Sequence, residues 1–126
     1  MPELPEVEIV RRGLEPAMRG KIVRSVRINR SDLRVPITDG FDAAFQGVRI
    51  SDLQRRGKYI LGFSECGRGF VLHLGMSGRI LIYAPNDAYE AAKHDHVVCE
   101  MEDGTRIVFN DPRRFGMLYM TALDRW

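Results

Sequence analysis

The sequence predicts an α+β domain, a mostly antiparallel β-sandwich of about eight strands with an N-terminal helix and a second short helix. Three observations support this prediction. Apolar side chains have helical spacing in the first 18 residues, short apolar runs of strand length follow, and turn residues separate several of these runs. A chain of 126 residues, 44% of them hydrophobic, is long enough for one domain with its own core.

The N-terminal helix is predicted from Leu4 to Met18, because apolar side chains recur there every three or four positions. Pro5 is compatible with this helix, since the first turn makes no intrahelical use of its N–H groups. Glutamates at the same end suit the helix dipole. Pro16 and Gly20 mark the end of the helix. The apolar residues of the predicted buried face are Leu4, Val7, Val10, Leu14 and Met18.

Short strands follow this helix. The first, at residues 21–29, is predicted to place Ile22, Val26 and Ile28 on one side of a sheet. A second, short helix is expected at residues 38–46. Asp103-Gly104 and the Gly-containing residues 66–69 predict two hairpins. The other strands are expected at residues 48–54, 58–64, 69–75, 78–83, 96–101, 105–110 and 116–120.

Arginine dominates the basic residues, with 16 arginines and 3 lysines, although the net charge is only +2. Arginine binds phosphate through a planar fork of donors, which favours an anionic partner, but a codon bias towards arginine would give the same count. Some of the basic residues form two clusters. These clusters could bind an anionic partner, and the alternative is that they are only a solvated surface. The clusters are Arg55, Arg56 and Lys58, and Arg113 with Arg114.

Several classes of protein are disfavoured. No apolar stretch approaches the length of a membrane span, and the N-terminus lacks the basic and apolar regions of a signal peptide. Cys66 and Cys99 are far apart and form no CxxC pair. We therefore expect no membrane association, a cytoplasmic location, and buried free thiols rather than a disulfide.

Pro2 and Glu3 are candidates for chemistry. Removal of the initiator methionine would leave Pro2 with a free secondary amine, and we expect the mature protein to begin there. An α-amino group has a pKa of about 7.7–8.0, which a following helix N-terminus lowers further, so the amine can attack a carbonyl carbon and form a Schiff base. Glu3 could then transfer protons. The alternative is that Pro2 only starts the helix.

Three further stretches suggest a nucleic-acid substrate. Lys58 begins a strand beside two arginines, Met76 lies between two glycines, and Arg113 and Phe115 lie in a turn between strands. Apolar side chains on loop tips can enter a base stack, and an arginine can donate to the edge of an unpaired base. An enzyme that acts on a base must first take it out of the stack. Singly, Lys58 is also compatible with a surface lysine, and Met76 and Phe115 with core positions.

Five motifs resemble those of a known enzyme family. In chain order they are MPELPEVE, RRGKY, HLGMSG, KHDHV and DPRRFG. Bacterial formamidopyrimidine-DNA glycosylase, which removes oxidised purines such as 8-oxoguanine, has the same motifs in the same order. The resemblance extends from Met1 to about Gly116. The endonuclease VIII type, which prefers oxidised pyrimidines, is less similar, because it would have Gly in place of Leu4 and a different loop around Met76.

The resemblance implies roles at the catalytic end. Pro2 would be the Schiff-base nucleophile that displaces the base. Glu3 would donate and accept protons, opening the sugar ring and assisting elimination. Lys58 would lie near the reacting sugar and contribute to proton transfer or phosphate binding. Glu6 would line the base pocket.

It also implies roles in binding DNA. Met76, Arg113 and Phe115 would fill the space that the everted nucleotide leaves, with Arg113 facing the orphaned cytosine. His94 and Arg114 would contact phosphates. His94 and His96 share a face on a strand and would be half of a metal site, but no further ligands lie nearby in sequence, so no metal is expected.

Members of this family are about twice as long. Their second half carries a helix–two-turn–helix element and a four-cysteine zinc finger. The resemblance thus implies that residues 1–126 are the N-terminal catalytic domain alone, without a cofactor, since the zinc would be bound in the missing domain. The expected partner is damaged double-stranded DNA, and the expected state is a monomer at the bacterial nucleoid.

Two alternatives remain open from the residues. The chain could bind DNA without turnover, since half of the phosphate contacts would be missing. It could also be an unrelated N-terminal-proline enzyme that acts on small keto acids, but this would leave Met76, Arg113 and Phe115 unexplained.

Overall fold

The computed structural model describes residues 3–122, which form two helices and eight strands. This confirms the predicted fold class. The helices are α1 (Leu4–Met18) and α2 (Phe41–Phe45). The strands are β1 (Val23–Ile28), β2 (Ile50–Arg56), β3 (Tyr59–Ser64), β4 (Arg68–His73), β5 (Arg79–Tyr83), β6 (Asp95–Met101), β7 (Arg106–Asn110) and β8 (Met117–Ala122).

The strands form two four-stranded antiparallel sheets, in the orders β1-β6-β7-β5 and β2-β3-β4-β8. Apolar side chains from both sheets and both helices share one core. Burial of these side chains is the main driving force for folding. Fully buried members of this core include Leu14, Ile50, Leu53, Ile60 and Met101.

Helix α1 has the predicted bounds. It packs against β2, β3 and β5 through Val7, Leu14, Ala17 and Met18. Leu4, which the spacing placed on the same face, is 44% exposed, because the packed interface begins one turn later, at Val7. The first turn of the helix is therefore accessible to solvent.

A β-bulge changes the predicted pattern of β1. The register shifts between Val23 and Ser25, and a bulge reverses which side chains point inward. Val23 is consequently buried in the core, whereas Ile22 lies outside the strand and pairs with Arg49 in an isolated bridge. Placing Ile22 on the inner face was therefore wrong.

Both predicted hairpins are confirmed. Gly104 has a φ of 92° between β6 and β7, and the Asp103 carboxylate accepts a hydrogen bond of 2.9 Å from the backbone N–H of Thr105. The second hairpin joins β3 to β4. Cys66 in this hairpin is exposed, so the expectation that both thiols are buried was wrong for Cys66. Burial raises the pKa of the Cys99 thiol to about 12.

The register of the second sheet brings three turns to one edge. Tyr59 pairs with His73, and His73 pairs with Met117. The residues just before Tyr59, just after His73 and just before Met117 are therefore neighbours. Within residues 3–122, no helix is long and apolar enough to cross a membrane.

Candidate active site and nucleic-acid interface

The candidate site lies at the edge where these three turns meet. Lys58 comes directly before β3, Met76 follows β4 by a few residues, and the turn at residues 111–116 leads into β8. The antiparallel register aligns these positions, although up to 58 residues separate them in sequence. The sheet therefore gathers two groups of predicted site residues on one side of the domain.

The first group is a pair of charged side chains. The Lys58 Nζ lies 3.8 Å from the Glu3 Oε2, which is an ion pair across the start of α1 and the β2–β3 turn. The Glu3 side chain is 70% exposed and the Lys58 side chain 30% exposed, so both are accessible to a substrate. Pro2 lies outside the described residues. Glu6 is exposed in the first turn of α1.

His73 stands between the charged pair and the next loop. Its Nδ1 accepts a hydrogen bond of 2.9 Å from the backbone N–H of Gly75, and its ring packs against that of Tyr59 in a tilted arrangement, with ring centres 4.9 Å apart. Burial, and then the nearby positive charge of Lys58, lowers the pKa of His73. The imidazole is thus neutral at physiological pH with its proton on Nε2. His73 is half-buried at the end of β4, beside Lys58.

The second group consists of two loops in tight contact. Gly75 has a φ of 62°, and a side chain there would place its Cβ 2.5 Å from the carbonyl carbon of Phe115. Such an approach is closer than real Cβ atoms allow, so the position requires glycine. The loop at residues 74–78 therefore packs directly on the turn at residues 111–116.

The carboxylate of Asp111 joins these two loops. Its Oδ1 accepts a hydrogen bond of 2.7 Å from the Ser77 hydroxyl, and its Oδ2 accepts one of 2.8 Å from the backbone N–H of Gly116. The Ser77 hydroxyl in turn accepts from the N–H of Arg113 at 3.0 Å. Asp111 is fully buried. Because a buried carboxylate is stable only when hydrogen-bonded, both loops are fixed around it.

Three side chains project from the joined loops. Met76 is 47% exposed and Phe115 is 37% exposed, which does not fit the alternative interpretation as core residues. The Arg113 guanidinium lies 5.3 Å from the centre of the Phe115 ring, within cation–π distance. Their backbone is held while the side chains are accessible, an arrangement suited to insertion between bases.

Arg114 has an unusual backbone conformation beside this group, with a φ of 59°. A side chain in this region costs about 1–3 kcal/mol, which the surrounding contacts must offset. The Arg114 carbonyl accepts a hydrogen bond of 2.8 Å from the N–H of Arg34, and its guanidinium lies 3.5 Å from the Asp32 carboxylate. The strained conformation directs a cationic side chain towards the surface, next to Arg113.

His94 and His96 differ in burial and in their contacts. The His96 ring is buried and its Nε2 bonds to the Asp111 carbonyl at 2.6 Å, so this nitrogen carries the proton. The His94 ring is half-buried, 6.3 Å from that of His96. Within residues 3–122, no three His, Cys, Asp or Glu side chains come together in a way that could hold a metal ion.

Three residues of this region were missed from the sequence. Ser77, His73 and Asp111 connect the predicted site residues but were given no part in the site. Asp111 carried a usable signal, since it directly follows a strand and precedes Pro112 in a turn with two arginines. Its burial, however, depends on a loop 34 positions away in sequence.

Comparisons with known proteins agree with this arrangement. The family model of the formamidopyrimidine-DNA glycosylase N-terminal domain matches residues 1–118. The formamidopyrimidine-DNA glycosylase of Cereibacter sphaeroides (strain KD131) is 48% identical over 98% of this chain and 46% of its own length. That of Caulobacter vibrioides (strain NA1000) is 48% identical over 99% of this chain and 47% of its own length.

Solved structures give the same result. The Lactococcus lactis formamidopyrimidine-DNA glycosylase, bound non-covalently to DNA with an AP site, superposes with a TM-score of 0.84 at 28% identity, covering 98% of this chain and 46% of that one. A structure of MutM with DNA containing carbocyclic 8-oxo-G has a TM-score of 0.84 at 29% identity, covering 98% and 45%.

Fold, site and relatives thus define a domain of the DNA glycosylase class. The chain belongs to the formamidopyrimidine-DNA glycosylase family, in which it matches the N-terminal domain. It spans about half the length of the curated relatives it matches.

Replacing Asp111 tests the joint between the two loops. Asp111→Asn keeps the shape but presents an NH₂ donor to either the Ser77 hydroxyl or the Gly116 N–H. We expect it to lower the free energy of unfolding by about 1–3 kcal/mol, measured by urea denaturation. Asp39→Asn, at an exposed carboxylate, is the control and should leave stability nearly unchanged. Equal, small effects of both substitutions would contradict the structural role of Asp111.

Proposed function

We propose that this chain is the catalytic domain of a bifunctional DNA glycosylase and abasic-site lyase of base-excision repair, acting on oxidised purines in duplex DNA. The observation that carries the proposal is the shared edge, where the Glu3–Lys58 pair and the exposed Met76 and Phe115 meet. Family membership supports it, as do the matched structures, which are complexes with DNA that contains an AP site or a carbocyclic 8-oxo-G.

The chemistry begins with the Pro2 amine, freed by removal of Met1. Its nitrogen forms a bond to C1′ of the everted nucleotide, and the bond between C1′ and the base breaks, with the electron pair leaving on the base. Glu3 takes the proton that the amine nitrogen loses and passes it to the ring oxygen, so the bond between C1′ and that oxygen breaks, the sugar opens and the nitrogen becomes an iminium. Removal of a C2′ proton then expels the 3′ phosphate, and water releases the sugar from Pro2.

Lys58 and His73 assist this reaction from the edge of the sheet. Lys58 lies within ion-pair distance of Glu3, where its positive charge attracts a phosphate. Neutral His73, with its proton on Nε2, offers a second hydrogen-bond donor to the phosphate backbone of the DNA. Glu6, exposed on the first helical turn, would line the pocket for the extruded base.

The joined loops supply the space-filling groups. Met76 and Phe115 enter the stack where the nucleotide was removed, and Arg113 donates to the unpaired base opposite. Arg114 and His94 hold phosphates nearby. A monomer in the bacterial cytoplasm, at the nucleoid, suits this role. The alternative function, DNA binding without turnover, predicts salt-dependent affinity for abasic DNA without a covalent product.

The proposal is tested by borohydride trapping with two duplexes, one with 8-oxoguanine opposite cytosine and one with an abasic site. The chain spans less than half the length of the curated relatives it matches, and a domain of this size offers a duplex fewer phosphate contacts and poorer positioning than a longer protein would. We expect slow trapping on the abasic duplex, whose aldehyde needs no base extrusion, and little excision of 8-oxoguanine. The absence of any trapped product would contradict the lyase chemistry.

Glu3→Gln should slow Schiff-base trapping on the abasic duplex much more than it weakens DNA binding, because the amide keeps the shape but cannot transfer protons. Lys58→Ala should slow trapping less than loss of the Pro2 amine. Single-turnover rates and fluorescence anisotropy measure the two effects. Equal losses of rate and affinity would mean that Glu3 is structural, and complete loss of trapping in Lys58→Ala would make Lys58 the nucleophile.

Met76→Ala and Phe115→Ala should weaken binding to damaged duplex while leaving the fold nearly intact. Both side chains are partly exposed, so the loss of stability should fall below the about 2–5 kcal/mol typical of truncated core residues. Leu72→Ala, at a buried core position, is the control, because it shows the full loss of stability caused by truncating a core side chain. Thermal melting and binding to abasic duplex give the comparison. Losses of stability as large as that of Leu72→Ala would restore the core interpretation.

A further inference from the structure

Glu8 is the most heavily hydrogen-bonded carboxylate on the surface of α1. Its Oε1 accepts from the Arg11 Nε at 2.9 Å and from the Arg55 Nε at 3.1 Å. Its Oε2 accepts from the Arg11 Nη2 at 2.8 Å and from the Arg12 Nε at 2.9 Å. Nothing in the proposed chemistry uses this carboxylate.

Two of these arginines connect the helix to β2 or to the turn that follows it. Arg55, which lies on β2, also donates from its Nη1 to the Gly57 carbonyl at 3.0 Å. Arg11 donates from its Nη1 to the Leu53 carbonyl at 3.3 Å. Gly57, with a φ of 59°, forms the turn and is bonded to Lys58. One guanidinium thus connects the helix carboxylate to the residue next to Lys58.

We propose that Arg55 and Glu8 form a positioning device that fixes Lys58 relative to Glu3 in the proposed reaction. Glu8 lies on α1, about 6 Å along the helix axis from Leu4, and Glu3 is the residue directly before that helix. The hydrogen bond from Arg55 to Gly57 fixes the turn on the other side of the ion pair. The inference rests on the proposed function, because it assigns the two residues a part in that chemistry.

The planar fork of arginine is essential to this role. It makes one hydrogen bond to Glu8 and another to Gly57 from different nitrogens, in a fixed relative geometry. Lysine would keep the charge but has a single, flexible ammonium group. Arg55→Lys therefore loses the fixed pair of hydrogen bonds to Glu8 and Gly57 but keeps the positive charge that attracts DNA.

The pair is also insensitive to pH over the working range. Hydrogen bonds from Arg11, followed by those from Arg12 and Arg55, outweigh the effect of burial and lower the pKa of Glu8 to about 2. A depressed carboxylate pKa means that this interaction is complete above the ordinary value of 4.5 and is lost only as the pH falls towards 2. Above that range the pH–rate profile should contain no titration of Glu8.

The experiment compares Arg55→Lys, Glu8→Gln and their double variant in the whole chain. It measures the borohydride-trapping rate at saturating abasic duplex, the Kd for the same duplex and the melting temperature. Arg12→Ala is the matched control, because Arg12 also binds Glu8 but remains within the helix. Arg56→Ala, which removes a charge from the adjacent position of the same hairpin, shows what the loss of one basic residue does to affinity.

We expect Arg55→Lys and Glu8→Gln to slow trapping by about tenfold, since small errors in position have large effects on rate. Their Kd should stay within about twofold of the unmodified chain, because the charge that attracts phosphate is kept in Arg55→Lys. The double variant should be no slower than the slower single one, as for two residues that act through one contact. Glu8→Gln should lower the trapping rate by the same factor at every pH of the working range, without shifting the pH–rate profile. Arg12→Ala should trap at the rate of the unmodified chain.

Several results would overturn the inference. An unchanged rate in Arg55→Lys would exclude positioning, and a loss of affinity like that of Arg56→Ala, with an unchanged saturated rate, would make Arg55 a DNA contact. Equal rate losses in Arg12→Ala would assign the effect to the helix alone. A melting temperature lowered in parallel with the rate would make the contact purely structural. If the unmodified chain gives no product, the proposed chemistry fails, and the positioning role falls with it.

Discussion

The buried carboxylate of Asp111 is the interaction on which the candidate site depends. It lies fully inside the domain, yet both of its oxygens are directed at loops that reach the surface. The carboxylate is tolerated in this position because each of its oxygens accepts a hydrogen bond, and removing one donor would leave a costly unpaired group. The exposed side chains of the two loops therefore have a fixed backbone beneath them, which reduces the ordering that binding requires.

The antiparallel sheet explains why residues from distant parts of the sequence act together. Each hairpin returns the chain to the same edge, so Lys58, His73 and the turn before Met117 become neighbours through register alone. Helix α1 then brings Glu3 to this edge from outside the sheet. The strands set the positions, while the candidate site residues lie at strand ends and in turns, an arrangement common in enzymes.

Much of the fold followed from periodicity and turn chemistry. The spacing of apolar residues gave α1 its bounds, and Asp103-Gly104 identified a hairpin, because both are local properties. The bulge that replaces Ile22 by Val23 in the core depends on the pairing of β1 with β6, which no local pattern contains. For the same reason Met76 and Phe115 could have been core or surface residues until the packing of their loops was known. The roles of Ser77 and Asp111 depend on contacts between loops and were not found.

The close approach of Gly75 to Phe115 has a consequence for how such proteins can change. A side chain at position 75 would collide with the backbone of the other loop, so a change in the path of one loop requires a matching change in the other. The two loops therefore form one packed unit, although 36 positions separate Gly75 from Asp111 in sequence. Moving one loop into a different β-sandwich would leave behind half of the contacts that hold it, whereas moving both, with their shared aspartate, would carry the whole packed unit.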